Sequence, residues 1–192
     1  MSHRYIVLVY NRDWSVGDRQ ALLETARSLA SEDVKVIDCR VASQHIEFDV
    51  YSRAGGVERF LSLLSSIFKV REVKEVVRTE ELRPPREVLD EAVKLFNAER
   101  FWEAHEVLEG LWRKLSDPEK RVIQGIILLA AAYVHLQKGE TQVYHSILSR
   151  ARTQMEYADQ IYGLDLTSLK KVLDRLRAES STELVKISLS GV

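Results

Sequence analysis

Hydrophobic positions recur along this chain with two different periods, and the change falls near residue 85. Before it, short runs repeat every second residue, as strands do. Arg4–Tyr10 (RYIVLVY) is β-branched and aromatic, which predicts a strand. Residues 18–31 then place Leu22, Leu23, Ala26, Leu29 and Ala30 on one helical face. Val34–Val41 (VKVIDCRV) predicts a second strand with poorly divided faces: Val34, Val36 and Asp38 share one parity, Lys35, Ile37 and Cys39 the other. His45–Tyr51 alternates cleanly, with Ile46, Phe48 and Val50 directed inward and Glu47 and Asp49 outward. Only Ser43–Gln44 separates these two strands, so they form an antiparallel hairpin. Gly55–Gly56 opens a helix that buries Val57, Phe60, Leu61, Leu64 and Ile67, and Val70–Thr79 predicts a fourth strand.

Past Pro85 the period becomes 3.6. Helices are expected over 85–98, 101–115, 118–137 and about 141–162, with Gly163 as a C-terminal cap, and from Asp165 or Thr167 onward. Ser116-Asp117-Pro118-Glu119 stops one helix and starts the next, since proline fits the first helical turn and an acid suits its positive end. IILLAAAYV at 126–134 is apolar nearly all round, which places that helix in the middle of a bundle. Gly125 inside it predicts a close helix approach. LFNAERFWEAHEVL (95–108) and HLQKGETQVYHSIL (135–148) echo one another as helix end, turn and helix start, which favours stacked antiparallel hairpins.

The fold expected is α+β. Residues 1–80 form a β-α-β-β-α-β, ferredoxin-like domain, because no helix fits between strands two and three of a doubly wound alternative. Residues 81–84 form a linker, and 85–178 an antiparallel bundle of about five helices. Residues 179–192 form a tail in which Val185, Ile187 and Leu189 alternate. Its strand, 183–189, is expected to join the edge of the first domain's sheet.

Composition narrows the function classes. A net charge of −1 argues against nucleic acid held by bulk charge. Cys39 is the single cysteine, so no intrachain disulfide forms; a cytoplasmic chain and a small core role for Cys39 are expected. No apolar run reaches the length of a membrane span, and MSHRYIVLVY lacks a leader's cleavage site. Two asparagines among many charges suit a thermophile. No glycine-rich phosphate loop is present; Gly55–Gly56 is read as a turn.

Candidate chemistry concentrates in FWEAHEVLEGLWRKL (101–115). His105 falls among Phe101, Ala104, Leu108, Leu111, Trp112 and Leu115, and Glu109 lies one turn after it. Setting 118–137 antiparallel to this helix brings Gln124 level with Glu109 and Arg121 level with Trp112. A polar seam Arg121–Gln124–Glu109–His105 is expected, with His135 farther along. It serves either as a satisfied buried network or as a pocket. As a pocket, His105 and Glu109 would be an acid–base pair or two ligands of a divalent metal, with His135 or His145 as the third. HEVLE departs from the zinc-protease pattern at its second histidine. Trp102 and Trp112 are read as packing, and Trp14 as a seal between domains.

The motif His-x-x-x-Glu-x-x-Trp (His105, Glu109, Trp112), followed by Gln124-Gly125, resembles domain-of-unknown-function family 309, small helical proteins of bacteria and archaea. The resemblance covers about residues 85–162 and implies an all-helical bundle with no established activity. The expectation is a soluble binding or interaction module holding the His105/Glu109/Trp112 cluster with Gln124, Arg121 and His135. Its partner would be a protein or a small molecule, without a membrane. The sheet domain would serve dimerisation or a second contact, so a homo-oligomer fits. No cofactor is expected, a divalent metal being the alternative. The rival function is a metal-assisted or acid–base, hydrolase-like enzyme using His105 and Glu109. A third is an RNA-associated protein, disfavoured because Tyr5 stands without the other aromatics of an RNA-binding sheet.

Overall fold

The computed structural model describes residues 2–53, 55–77 and 83–189. The chain divides into two compact units, Met1–Thr79 with Gln137–Gly139, and Glu80–Leu136 with Glu140–Val192. In the first, β1 (Ser2–Tyr10), α1 (Arg19–Ser28), β2 (Val34–Val41), β3 (His45–Arg53), α2 (Gly56–Ser65) and β4 (Val70–Glu75) follow in order. The strands pair antiparallel in the order β2-β3-β1-β4. Val7, Val9, Ile46, Phe48 and Val50 pack with Leu22, Leu23 and Ala26 of α1 and Phe60 and Leu64 of α2, so both helices cover one sheet face. The fourth strand stops at Glu75; the expected extension to Thr79 runs into residues outside those described.

A bulge in β2 explains its undivided pattern. Val36 pairs with Val50 but Asp38 pairs with Asp49, so Ile37 is the extra residue. One added residue reverses the parity. Val34 and Val36 before it, and Cys39 and Val41 after it, therefore all reach the same core, while Asp38 and Arg40 turn to the other face. Burial pushes the Cys39 thiol up to about 12, which leaves it a small inert core group.

Glu47 and Asp49 point to the opposite sheet face, as the alternation predicts, yet they are 1% and 2% exposed. They are tolerated there because Arg40, itself 3% exposed, donates from Nε to Glu47 Oε1 at 2.6 Å and lies 3.7 Å from Asp49. Arg4 holds Asp49 through two bonds, of 2.9 and 2.6 Å. Burial opposes the charge on Arg40, but Glu47, Asp49 and Asp38 outweigh it and hold the guanidinium protonated. Burial alone would raise the Asp38 carboxyl; bonds from Arg19 and the Cys39 N–H, with Lys138 and Arg40 nearby, bring it below the usual carboxylate range. A depressed folded-state pKa contributes stability above the unfolded value of about 3.9 that is lost as pH falls through the folded value. Asp38→Asn is therefore expected to melt below the natural chain at pH 7, and the difference should shrink as pH drops under about 4. A gap unchanged down to about pH 3 would refute this.

The second unit contains α3 (Pro85–Asn97), α4 (Phe101–Trp112), α5 (Glu119–Gln137), α6 (Thr141–Gln154), the hairpin β5 (Gln160–Ile161) and β6 (Leu164–Asp165), and α7 (Leu166–Ala178). α5 is central, as its composition predicts: Ile123, Leu129, Ala130, Ala132 and Tyr133 are fully buried. A Cβ at Gly125 would stand 3.0 Å from the Ala151 carbonyl oxygen and 2.8 Å from Met155 Cγ, so glycine permits the α5–α6 approach. The fourth bundle helix ends at Gln154, eight residues before the expected limit. Gly163 does not cap it. Tyr162 and Gly163, with φ of +46° and +85°, form a two-residue hairpin turn, which requires positive φ at both positions. Asp165 caps α7, accepting from the Ser168 N–H at 3.0 Å.

The forty-residue echo is a structural repeat. Glu99 (φ +60°) and Gly139 (φ +79°) occupy the same left-handed position between helices. The Arg100 N–H donates to the Leu95 carbonyl and the Glu140 N–H to the His135 carbonyl, both at 2.9 Å. Arg100 and Glu140 then start α4 and α6 with matching backbone angles. Only glycine takes this conformation without cost, so Glu99 carries about 1 kcal/mol of strain that Gly139 does not.

The C-terminal segment also departs from expectation. Among the described residues, 183–188 form no strand, and Leu189 makes a single bridge to Leu164. Val185 and Ile187 belong to the core of the helical unit, not to the edge of the sheet. Their alternation did reflect burial on one side, but the surface that buries them is a helix bundle.

Candidate functional site

The α4 helix turns Phe101, Glu103, Ala104, Leu108 and Leu111 into the core. Trp102, His105, Glu109 and Trp112 form the adjoining stripe, at helical spacing, and all four are half-buried. His105 thus borders the core-facing side, where the sequence had placed it within. His105 Nε2 lies 3.7 Å from Glu109 Oε1, and the two side chains are 25% and 35% exposed. That separation is an ion-pair distance for a protonated histidine and too long for a hydrogen bond. Glu109 Oε2 accepts from Arg113 Nη2 at 2.8 Å. His105 Nδ1 is buried and makes no hydrogen bond among the described residues; the Glu106 carboxylate lies 3.8 Å away.

The expected seam does not form across the two helices. Arg121 is exposed and donates to Asp117 Oδ2 at 2.8 Å and to the Tyr157 hydroxyl at 2.9 Å, its guanidinium stacked 4.8 Å over the Tyr157 ring. Among the described residues, no hydrogen bond or ion pair joins it to Glu109. Gln124 is half-buried, and no hydrogen bond joins it to Glu109 among the described residues. The ring of Trp112 is covered by Lys120, whose Nζ lies 4.2 Å from its centroid. His135 pairs through Nδ1 with Glu140, inside the α5–α6 turn. His145 sets its ring edge-on to Tyr144 at 4.9 Å. Part of the reason is local: Glu109, Arg121 and His135 each find an oppositely charged partner within five residues, at less entropic cost than a reach between helices. Trp14 is 45% exposed, held at its backbone by the Asn11 side chain at 2.9 Å.

Among the described residues, no three histidine, cysteine or acidic side chains converge as metal ligands would. His135 does not join His105 and Glu109. The pair presents a partly exposed imidazole and carboxylate on a stripe with two indoles, groups able to donate, accept and stack.

Sequence reasoning missed two features. Glu103, one position from the motif's apolar residues, is 3% exposed and held by Arg100 through bonds of 2.5 and 2.9 Å. An arginine three residues before a glutamate at a helix start was the available signal. The second is a cleft of about 310 Å³ lined by Pro118, Glu119, Val122, Ala158, Ile161 and Tyr162, among others. It depends on the β5–β6 hairpin, which the helical spacing of 141–162 concealed. Burial, then a hydrogen bond with Glu119, pushes the Tyr162 hydroxyl up to about 12. None of the motif residues lines this cleft.

Comparison with known proteins agrees with the helical half. The family described as Domain of unknown function (DUF309) matches residues 89–147. A solved structure of a conserved hypothetical protein from Thermus thermophilus is 35% identical, over 50% of this chain and 99% of that one, with a TM-score of 0.42. No curated protein matches the chain.

Proposed function

Residues 89–147 of the helical half match the family described as Domain of unknown function (DUF309), which has no assigned activity, and we propose that this half is a binding module whose recognition surface is the α4 stripe Trp102–His105–Glu109–Trp112. One observation carries the reading. His105 and Glu109 are 25% and 35% exposed, lie outside the cleft at Pro118 and Tyr162, and share a part-exposed stripe with two tryptophans. A structural network would hide and pair both groups. An acid–base pair would work best within about 3.2 Å and inside a cleft that excludes water. A half-exposed histidine and carboxylate flanked by indoles has the composition of an interaction surface, where tryptophan supplies area and polar groups supply register.

The test separates this reading from a stabilising network. In urea unfolding, His105→Ala is expected to cost under about 1 kcal/mol, as for an exposed pair. A loss of about 2 kcal/mol or more would mark a buried network and overturn the proposal. In the same protein, amide chemical shifts followed through a screen of short peptides and small polar compounds should move first on α4. Shifts centred on another surface would count against it.

A further inference from the structure

We infer that the helical unit is a receptor for an extended peptide, and that residues 183–189 of the same chain occupy it in cis. Asn97, the last residue of α3, makes with its side-chain amide the two bonds that a neighbouring strand would make. Its Nδ2 donates to the Ile187 carbonyl at 2.6 Å, and its Oδ1 accepts from the Ile187 N–H at 2.9 Å. The Asn97 carbonyl accepts from Lys186 Nζ at 2.6 Å. Two residues earlier, the Tyr133 hydroxyl donates to the Glu183 carbonyl at 2.7 Å and accepts from the Val185 N–H at 3.1 Å.

All of these contacts except that of Lys186 read the segment's backbone, so they serve many sequences. Selectivity comes from Val185 and Ile187, 8% and 5% exposed, while Leu184, Lys186 and Ser188 are more open to solvent. Backbone clamping with alternate side chains in pockets is how an extended peptide adds to a receptor. The segment has no helix or strand of its own across 181–188, so its conformation is set by what holds it. Asn97 and Tyr133 both lie within the residues matched to the family, 89–147, whereas the segment lies outside them. Groove and occupant are thus separable along the chain. A tether of a few residues after α7 gives the segment a high local concentration. A partner that replaces it must offer the same chemistry: an extended stretch reading aliphatic, basic, aliphatic, like Val185-Lys186-Ile187.

The test keeps the chain at full length. Val185→Ser combined with Ile187→Ser empties the pockets, and a labelled peptide of residues 182–189 (TELVKISL) is titrated by fluorescence anisotropy. The peptide is expected to bind this variant about tenfold or more tightly than the natural chain, whose own segment competes. Asn97→Ala added to the variant should abolish that binding. A variant that melts cooperatively but does not take up the peptide overturns the inference. So does a variant that no longer folds, since the segment would then be a permanent part of the core. A second readout uses the natural chain. The Val185 and Ile187 amides should exchange with deuterium by local opening, well before those of Leu129 and Ala130. Exchange of all four at one common rate also overturns it.

Discussion

Arg40→Met is expected to cost the sheet unit about 3–5 kcal/mol, the range for removing one member of a buried ion pair. Arg40 is the buried positive charge shared by Glu47, Asp49 and Asp38, at 2.6 Å from Glu47 and 3.7 and 3.9 Å from the two aspartates. Methionine has similar length and no charge, so the loss reports electrostatics and not volume. Hydrogen exchange at Val7 and Phe48, in the strands that carry the unit's core, reads it directly. Protonation of the carboxylates relieves the uncompensated charge, so the deficit should shrink in acid. Replacing Glu47 by leucine in the same chain should recover part of it, because an apolar pair removes the buried carboxylate that Arg40 had balanced. A single-variant loss under about 1 kcal/mol would show that the network is dispensable.

Phe101→Ala should have an effect of similar size in the helical unit, about 3–5 kcal/mol. Phe101 is 1% exposed at the start of α4. Its ring meets Phe96 edge-on at 4.8 Å and stacks on Tyr133 at 4.9 Å with an interplanar angle of 22°. Alanine removes both contacts and leaves a cavity that fixed helix backbones cannot close. Trp102 and Trp112 lie on α4 and Trp14 in the sheet unit, so a Trp14→Phe background makes urea-induced fluorescence a readout of the helical unit. A lower midpoint with an unchanged slope is the expected signature. A second consequence follows from Tyr133. It loses one wall of its cage, so its hydroxyl holds Glu183 and Val185 less firmly, and the Val185 amide should exchange faster. A loss near that of an exposed substitution, about 0.5 kcal/mol, would contradict the packing described.

Much of the architecture was legible because it depends on local periodicity. The alternation of Ile46, Phe48 and Val50, the helical spacing from Val88 onward and the stop at Asp117-Pro118 each express one element's own geometry. The α4 motif was legible as a unit for the same reason: residues four apart on a helix are neighbours whatever surrounds them. Its exposure was not, because that depends on which side chains from α5 reach it. Arg121 and Gln124 could be placed level with the motif by counting, but Arg121 found Asp117 and Tyr157 closer.

By itself the chain of amino acids determined the four strands of the sheet, the helices and their order, the two-part organisation of sheet then bundle, the repeated helix–turn–helix and the adjacency of His105 and Glu109. Each follows from interactions between near neighbours. Only the tertiary structure decided the rest. The bulge at Ile37 turned Arg40 toward Glu47 and Asp49, which a strict alternation could not reveal. The β5–β6 turn broke what the spacing of apolar residues had read as continuous helix. The tail chose Asn97 and Tyr133 over a sheet edge, because alternation says that one side is buried without saying by what. Burial and long-range partners are properties of the whole fold, and they set whether a polar residue is hidden, paired or offered to a ligand.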